Sequence, residues 1–358
     1  MITTVLVNKY LSLRFLKAQY LLGFLFILNF FSCSFRTPYV ALNGTTMGTT
    51  YSILLVPKPN EEIDLAKLQF GIDSVLYEVN NQMSTYLVNS EITQFNDLNA
   101  GESISISTGF KNVIQRSIYW GKITNGAFDP TIFPIVQLWR TGSRINKMGE
   151  NWEPPKSGEI LSSMNKIGYN KININENTLS KAIKGQMIDL NAIAKGWGVD
   201  EIFRFLKRTG FKDLMVEIGG EVRVGGKNNL NRPWSIGIET PVKNTLPREQ
   251  IFGKVDISDK GMATSGNYRN FYTYNGKSYS HIIDPRNGKS VESSLLSVTV
   301  LAESCMDADA LATALSILSY DQGLKLINSI EGSEALWILS DELNDFVVKK
   351  TDNMPFFN

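Results

Sequence analysis

From Leu214 to Val300 the chain passes from one β-like run to the next through glycine-bearing turns, and this stretch narrows the folds open to it more than any other. Leu214–Ile218 reads as a strand that bends at Gly219-Gly220 and resumes as a second strand at Glu221; Trp234–Glu239 is a third. Residues 253–300 keep the β pattern, with Ala263-Thr264-Ser265-Gly266-Asn267-Tyr268 ahead of a hairpin expected at Tyr274-Asn275-Gly276-Lys277. Upstream, residues 45–56 are rich in β-branched and aromatic side chains and predict one strand, and Met187 to Leu190 predict a short one. Helical spacing appears over residues 63–83, over 108–123 with a stop at Gly126, over 199–210, and in a last helix through Ala308, Leu311, Leu315 and Ser319. Strands and helices mixed this way, with no regular βαβ alternation, favour α+β over a doubly wound sheet.

The first 32 residues predict an export signal. They carry Lys9, Arg14 and Lys17 but no acid, then an apolar run from Tyr20 to Phe31, then Ser32-Cys33. A small residue just before a cysteine suggests lipoprotein processing, which would make Cys33 the lipidated first residue. The apolar run is shorter than the roughly 20 residues that span a bilayer. The expected organisation is a signal peptide at 1–32, a tether at 33–42 and a main domain at 43–358. The chain would then be an exported, membrane-anchored lipoprotein on the periplasmic or cell-envelope side. Cleavage removes three of 36 bases and none of 35 acids, leaving a charge of about −2. That balance, with no basic run, gives no electrostatic case for nucleic acid as a partner. With Cys33 lipidated, Cys305 has no disulfide partner, so stability rests on burial.

The chain of 358 residues contains one histidine, His281, three positions before Asp284. One histidine and two cysteines cannot assemble the nitrogen- and sulfur-rich sets that zinc or copper prefer, so a metal here must be hard and oxygen-bound. Asp309 and Thr313 lie four apart on a helix, stacked so that a carboxylate and a hydroxyl can share a cation. The alternative is that Asp307 or Asp309 favours the helix N-terminus and Thr313 bonds back to the backbone. Asn191 to Gly198 leads from a turn into a helix start, where free amides and Lys195 suit phosphate; a solvated lysine beside an ordinary glycine turn is the competing reading. Asp129, held in a turn by Pro130, and Tyr86, just after the first long helix, complete the candidates. On the residues alone a half-buried, structural Tyr86 is the favoured reading.

Seven stretches, in order and spacing, resemble the ApbE-type FAD:protein FMN transferases along nearly all of the chain after the signal. They are Met47-Gly48-Thr49-Thr50-Tyr51, Gly126-Ala127-Phe128-Asp129-Pro130, Asp189-Leu190 with Ala192-Ile193-Ala194-Lys195-Gly196, Ile218-Gly219-Gly220, Thr264-Ser265-Gly266, Ser280-His281-Ile282-Ile283-Asp284-Pro285, and Asp309-Ala310-Leu311-Ala312-Thr313. Each is weak alone; the ordered set is specific. The resemblance implies an α+β fold of mixed sheets with packed helices and an FAD site between two intimately packed lobes. It implies that FAD is the substrate, that its FMN half passes to a threonine hydroxyl of an acceptor protein, and that AMP leaves. By the same resemblance, the Ala192 carbonyl, Asp309 and Thr313 would hold magnesium, and Met47, Tyr86, Ala127, Phe128, Asp129, Lys195 and Ile282 would line the FAD site.

His281 is the candidate base for the attacking threonine, since imidazole titrates near neutrality, and Asp284 would orient it or act in its place. The acceptor implied is a membrane redox subunit with an exposed threonine motif. Asn191, Phe133 and Asn287 stand where the family usually has glycine, glycine and threonine, and none of the three removes a proposed ligand or the histidine. Two rival activities use the same ligands: hydrolysis of FAD to FMN and AMP, and binding of FAD without turnover.

Overall fold

A computed structural model describes residues 38–141, 152–242, 249–267, 271–341, 343 and 345–357. The signal peptide, Cys33 and Tyr268 lie outside the described residues, as does most of the polar stretch at 141–157. The fold begins with a hairpin of β1 (Val40–Thr46) and β2 (Thr49–Leu55), with Thr46 opposite Thr49. Met47 and Gly48 between them have φ of 50° and 74°, both left-handed, which is the reversal whose twist matches flanking strands. The single strand expected over 45–56 is therefore two. Met-Gly lacks the asparagine or aspartate that usually marks this turn, so the β-branched residues on either side read as continuous. The strand also takes in Val40 to Leu42, which the sequence assigned to the tether.

Next come α1 (Leu65–Met83), α2 (Glu91–Asp97), β3 (Ser103–Ser105) and α3 (Thr108–Ile123). Asp64, Ser90 and Ser107 each accept an amide of the first turn they precede, satisfying donors that a helix leaves unpaired. The helical rhythms read over 63–83 and 108–123 hold, whereas α2 is too short to announce itself. After α4 (Phe133–Thr141) and α5 (Ser157–Met164), β4 (Ile172–Asn175) and β5 (Thr178–Lys181) join β3 in a small sheet of order β3-β5-β4. Met187 to Leu190 do not form a strand. Met187 makes one isolated bridge to Ile132 and the Asp189 amide donates to the Pro130 carbonyl at 2.8 Å, so the apolar run is an irregular segment outside the sheets.

Then follow α6 (Ala194–Arg208), β6 (Leu214–Ile218), β7 (Glu221–Gly225), β8 (Trp234–Glu239), β9 (Ile251–Ile257) and β10 (Gly261–Gly266). The expected hairpin is present as β11 (Phe271–Tyr274) and β12 (Lys277–Ser280), and β13 (Ile283–Asp284), β14 (Lys289–Ser290) and β15 (Leu295–Ala302) complete the β-rich stretch. The helix read as the last is α7 (Cys305–Ile317), and a further α8 (Tyr320–Asn328) follows it. Leu318 caps the first and Ser319 opens the second, which is why the two read as one. The chain closes with β16 (Glu334–Ser340), β17 (Phe346–Lys350) and β18 (Phe356–Phe357).

An eight-stranded sheet of order β1-β2-β6-β7-β10-β15-β16-β17 organises these elements, and every neighbouring pair in it is antiparallel. Side chains alternate between its faces. Tyr51, Ile53 and Leu55 pack on one face with Ile72 and Leu76 of α1 and Val199, Ile202 and Leu206 of α6. Val224, Met262, Leu301 and Ile338 pack on the other face against Trp234 and Val255 of the β18-β9-β8 sheet. The result is helices, large sheet and small sheet in layers, an α+β fold. From Tyr39 onward the contacts form one compact unit. Among the described residues no helix is long and apolar enough to cross a membrane.

Candidate functional site

The N-termini of α6 and α7 meet over the large sheet. A Cβ on Gly196 would lie 2.5 Å from the Cys305 carbonyl oxygen, so only glycine allows the two backbones this approach. The Gly196 amide donates to Asp309 Oδ2 at 3.0 Å, so a side chain of α7 caps the first turn of α6. Lys195, beside it, pairs with Glu221 at the start of β7. Asp309 is 4% exposed and Glu221 also 4%, so two carboxylates and one ammonium share a nearly dry pocket.

The charges in this pocket are strongly coupled. Burial works against the Lys195 charge, but Asp309 and Glu221 outweigh it and raise its pKa. Burial pushes Glu221 up to about 7, opposed by Lys195 and reinforced by Asp309. Asp309 is raised by burial, with Lys195 and the Gly196 amide pulling the other way. One Glu221 oxygen is buried with no hydrogen-bond partner among the described residues.

This arrangement makes a stability prediction. Lys195→Met leaves Glu221 and Asp309 buried without a counter-charge, a change that costs about 3–5 kcal/mol in a fully buried pair. Lys195 keeps 29% side-chain exposure, so water screens part of that, and we expect about 2–3 kcal/mol. The pH dependence follows from the sign of the Glu221 shift. A carboxyl raised in the folded state favours folding most below its unfolded value, 4.5, and loses that contribution as pH rises through the folded value, about 7. Urea unfolding should therefore show a larger deficit for the variant at pH 8 than at pH 5; an equal deficit at both would refute the coupling.

The oxygens expected to hold a cation fit that task. The Ala192 carbonyl accepts no hydrogen bond from a described residue, because the Gly196 amide four positions on is taken by Asp309. The Thr313 hydroxyl has no hydrogen bond to a described residue, so it does not bond back along α7. Carbonyl, carboxylate and hydroxyl oxygens suit a hard cation that keeps several waters. Among the described residues no group of three or more His, Cys, Asp or Glu offers another metal site.

Met47 belongs to this region: a Cβ on Gly198 would meet its sulfur at 3.3 Å, which puts the β1–β2 turn against the first turn of α6. Ala127, Phe128 and Asp129 are buried, and Phe128 belongs to the core. The Asp129 carboxylate accepts from Thr131 and from the Tyr169 amide, and burial raises its pKa against those bonds. What this turn can offer a ligand is backbone, and the Asp129 amide has no acceptor among the described residues. The turn touches two other parts of the site: Arg286 packs beside Gly126, and Pro130 accepts the Asp189 amide three residues before Ala192. Ile282 is half-buried, with its amide bonded to Ser280 Oγ at 2.9 Å and its carbonyl to the Val291 amide.

His281 is exposed between β12 and β13. Asp284 does not orient it: its carboxylate takes Arg286 Nε and Nη2 at 2.8 Å each, the Arg286 amide and Asn287. The local Asp-Pro-Arg-Asn turn consumes the acid that the sequence offered to the histidine. Tyr86 is 85% exposed rather than half-buried, on the loop between α1 and α2. A groove of about 470 Å³ lies between α1, α3 and α6, lined by Glu78, Gln82, Asn112, Trp197 and Glu201, and none of the expected residues lines it.

Two residues of the site were missed in the sequence. Glu221 follows the glycine pair at a strand start, and a carboxylate there had no visible cation because Lys195 is 26 positions earlier. Asp200, fully buried, sits on the inner stripe of α6 with Gly196 and Phe203; an acid on an otherwise apolar helix face was the available signal.

The α+β fold thus brings half-buried Lys195 together with two buried carboxylates, Glu221 and Asp309, where α6 and α7 meet. A model of the ApbE family matches residues 47–337. The FAD:protein FMN transferase of Vibrio cholerae serotype O1 is 40% identical over 293 residues, 82% of this chain and 85% of that protein. The FAD:protein FMN transferase of Haemophilus influenzae is 35% identical over 325 residues, covering 89% and 92%. The solved flavin transferase ApbE from Vibrio cholerae superposes with a TM-score of 0.77 at 36% identity, covering 88% of this chain and 97% of that one. Flavinyl transferase ApbE of Pseudomonas stutzeri, in its apo form, gives 0.76 at 30% identity, covering 88% and 95%. The chain belongs to the ApbE family.

Proposed function

We propose that this chain transfers FMN from FAD to a threonine hydroxyl of an acceptor protein and releases AMP, in a magnesium-dependent reaction. The observation that carries this reading is the junction of α6 and α7, where buried Asp309 bonds the Gly196 amide beside the half-buried Lys195–Glu221 pair. Curated relatives named for this transfer, similar over most of their length, support it.

In the reaction, the threonine oxygen attacks the phosphorus on the flavin side of the FAD pyrophosphate. A new P–O bond forms, the bond to the AMP phosphate breaks, and the hydroxyl proton passes to His281. The Ala192 carbonyl, Asp309 and Thr313 would hold magnesium, which neutralises charge on the pyrophosphate oxygens when bound. Lys195 adds a fixed positive charge, and Glu221 holds its side chain in place. The open Asp129 amide and the half-buried Ile282 fit FAD-contact roles, and exposed Tyr86 is free to meet the flavin or adenine ring. Phosphoryl transfer depends mainly on alignment and charge neutralisation, which such a pocket supplies.

Export, a lipid anchor at Cys33 and a membrane redox subunit as acceptor are part of the same proposal, resting on the N-terminal sequence. The test is product analysis with FAD, magnesium and a threonine-bearing acceptor. AMP and modified acceptor should appear in equal amounts; free FMN in place of modified acceptor would assign a hydrolase instead.

A further inference from the structure

Asp200 is fully buried on α6 and touches none of the residues expected to meet FAD or metal through its side chain. A buried carboxylate is costly unless it is paired and hydrogen-bonded, and this one is both. Its Oδ1 takes Arg223 Nη1 and the Cys305 amide at 3.0 Å, and its Oδ2 takes the Met306 amide at 3.0 Å. Cys305 and Met306 are the first two residues of α7, so the side chain binds two donors that the helix leaves open at its N-terminus. Ser304 takes the next amide, that of Asp307, from within the same segment.

The two helices thus exchange carboxylates. Asp200 of α6 caps α7, and Asp309 of α7 caps α6 through Gly196. Gly196 lets the backbones touch at the point between the two caps. The oxygens in the proposed cation site are split across this junction: Ala192 precedes α6, and Asp309 and Thr313 belong to α7. Rotation or slippage of one helix on the other would change the spacing between them. Magnesium demands near-ideal octahedral geometry at about 2.0–2.1 Å and tolerates such changes poorly.

We propose that Asp200 is a positioning residue that fixes α7 against α6 and so sets the spacing of the magnesium-binding oxygens. This rests on the metal reading above. Ser304 provides the control, because it caps the same helix without tying it to α6.

The test titrates Mg2+ by calorimetry into FAD-bound protein with acceptor omitted, for wild type, Asp200→Asn and Ser304→Ala. FAD affinity without metal and urea midpoints are measured in parallel. Both variants should unfold at lower urea. Asp200→Asn should weaken Mg2+ binding by about tenfold or more, the size typical of residues supporting a metal site, with metal-free FAD affinity within about twofold. Ser304→Ala should bind Mg2+ within about twofold of wild type. Wild-type affinity in Asp200→Asn, or equal weakening in both variants, overturns the assignment. Should Asp200→Asn fail to fold, amide exchange in the wild type decides: Mg2+ should slow exchange at Cys305 and Met306, and unchanged exchange there overturns it. No Mg2+ binding by folded wild type would instead remove the metal reading itself.

Discussion

Replacing Asp309 with alanine is expected to lower magnesium-dependent FMN transfer by about 10²–10³-fold, the scale seen when a preorganised electrostatic element is removed from a site. Three features concentrate the effect on this residue. Its carboxylate is the only charged group in the proposed ligand set, the others being the Ala192 carbonyl and the Thr313 hydroxyl. It also caps the first turn of α6 through Gly196, where Lys195 is held. Finally, it is one of the two carboxylates that keep Lys195 charged against the cost of burial. Truncation would leave the Gly196 amide without its acceptor, costing about 1–3 kcal/mol, so folding must be checked by urea unfolding. A folded Asp309→Ala protein with wild-type magnesium-dependent turnover would remove the residue from the metal site.

The second large effect is expected at His281. Loss of a general base costs about 10²–10⁴-fold, and His281→Ala should slow transfer within that range while leaving FAD affinity within about twofold. The exposed position of His281 suits it to meet a hydroxyl brought by another protein, and its removal takes nothing from the buried core. Stopped-turnover kinetics with saturating FAD separates the two quantities. Equal losses in FAD binding and transfer would give His281 a structural role. Asp284→Asn should have a smaller effect on transfer, because that carboxylate is already committed to Arg286 and Asn287 rather than to the histidine.

Much of the fold could be read from residue order because the signals are local. The rhythms of α1, α3 and α6 come from apolar spacing, the β6–β7 reversal from Gly219-Gly220, and the β11–β12 hairpin from Asn275-Gly276. The failures were also local in cause. Met47-Gly48 reverses the chain without the usual turn residues, and Met187 to Leu190 look like a strand because Ile188 and Leu190 are apolar and buried in an irregular segment.

The site was legible only as separate motifs. Stacking of Asp309 over Thr313 follows from helical spacing, but the capping of α6 by Asp309 spans 113 residues and that of α7 by Asp200 spans 105 or more. No local pattern encodes a bond of that kind. The partner of Lys195 was hidden for the same reason, since Glu221 reaches it only because the α6 turn lies over the start of β7. Asp284 shows the opposite failure: proximity in sequence suggested a partner for His281, and a nearer arginine claims it.

The most direct test of the whole account is the intact mass of a threonine-bearing acceptor after incubation with the purified protein, FAD and magnesium. The expected result is an increase equal to one FMN, carried on threonine and absent when magnesium is chelated. An acceptor of unchanged mass, with no AMP formed across several acceptors, would contradict it.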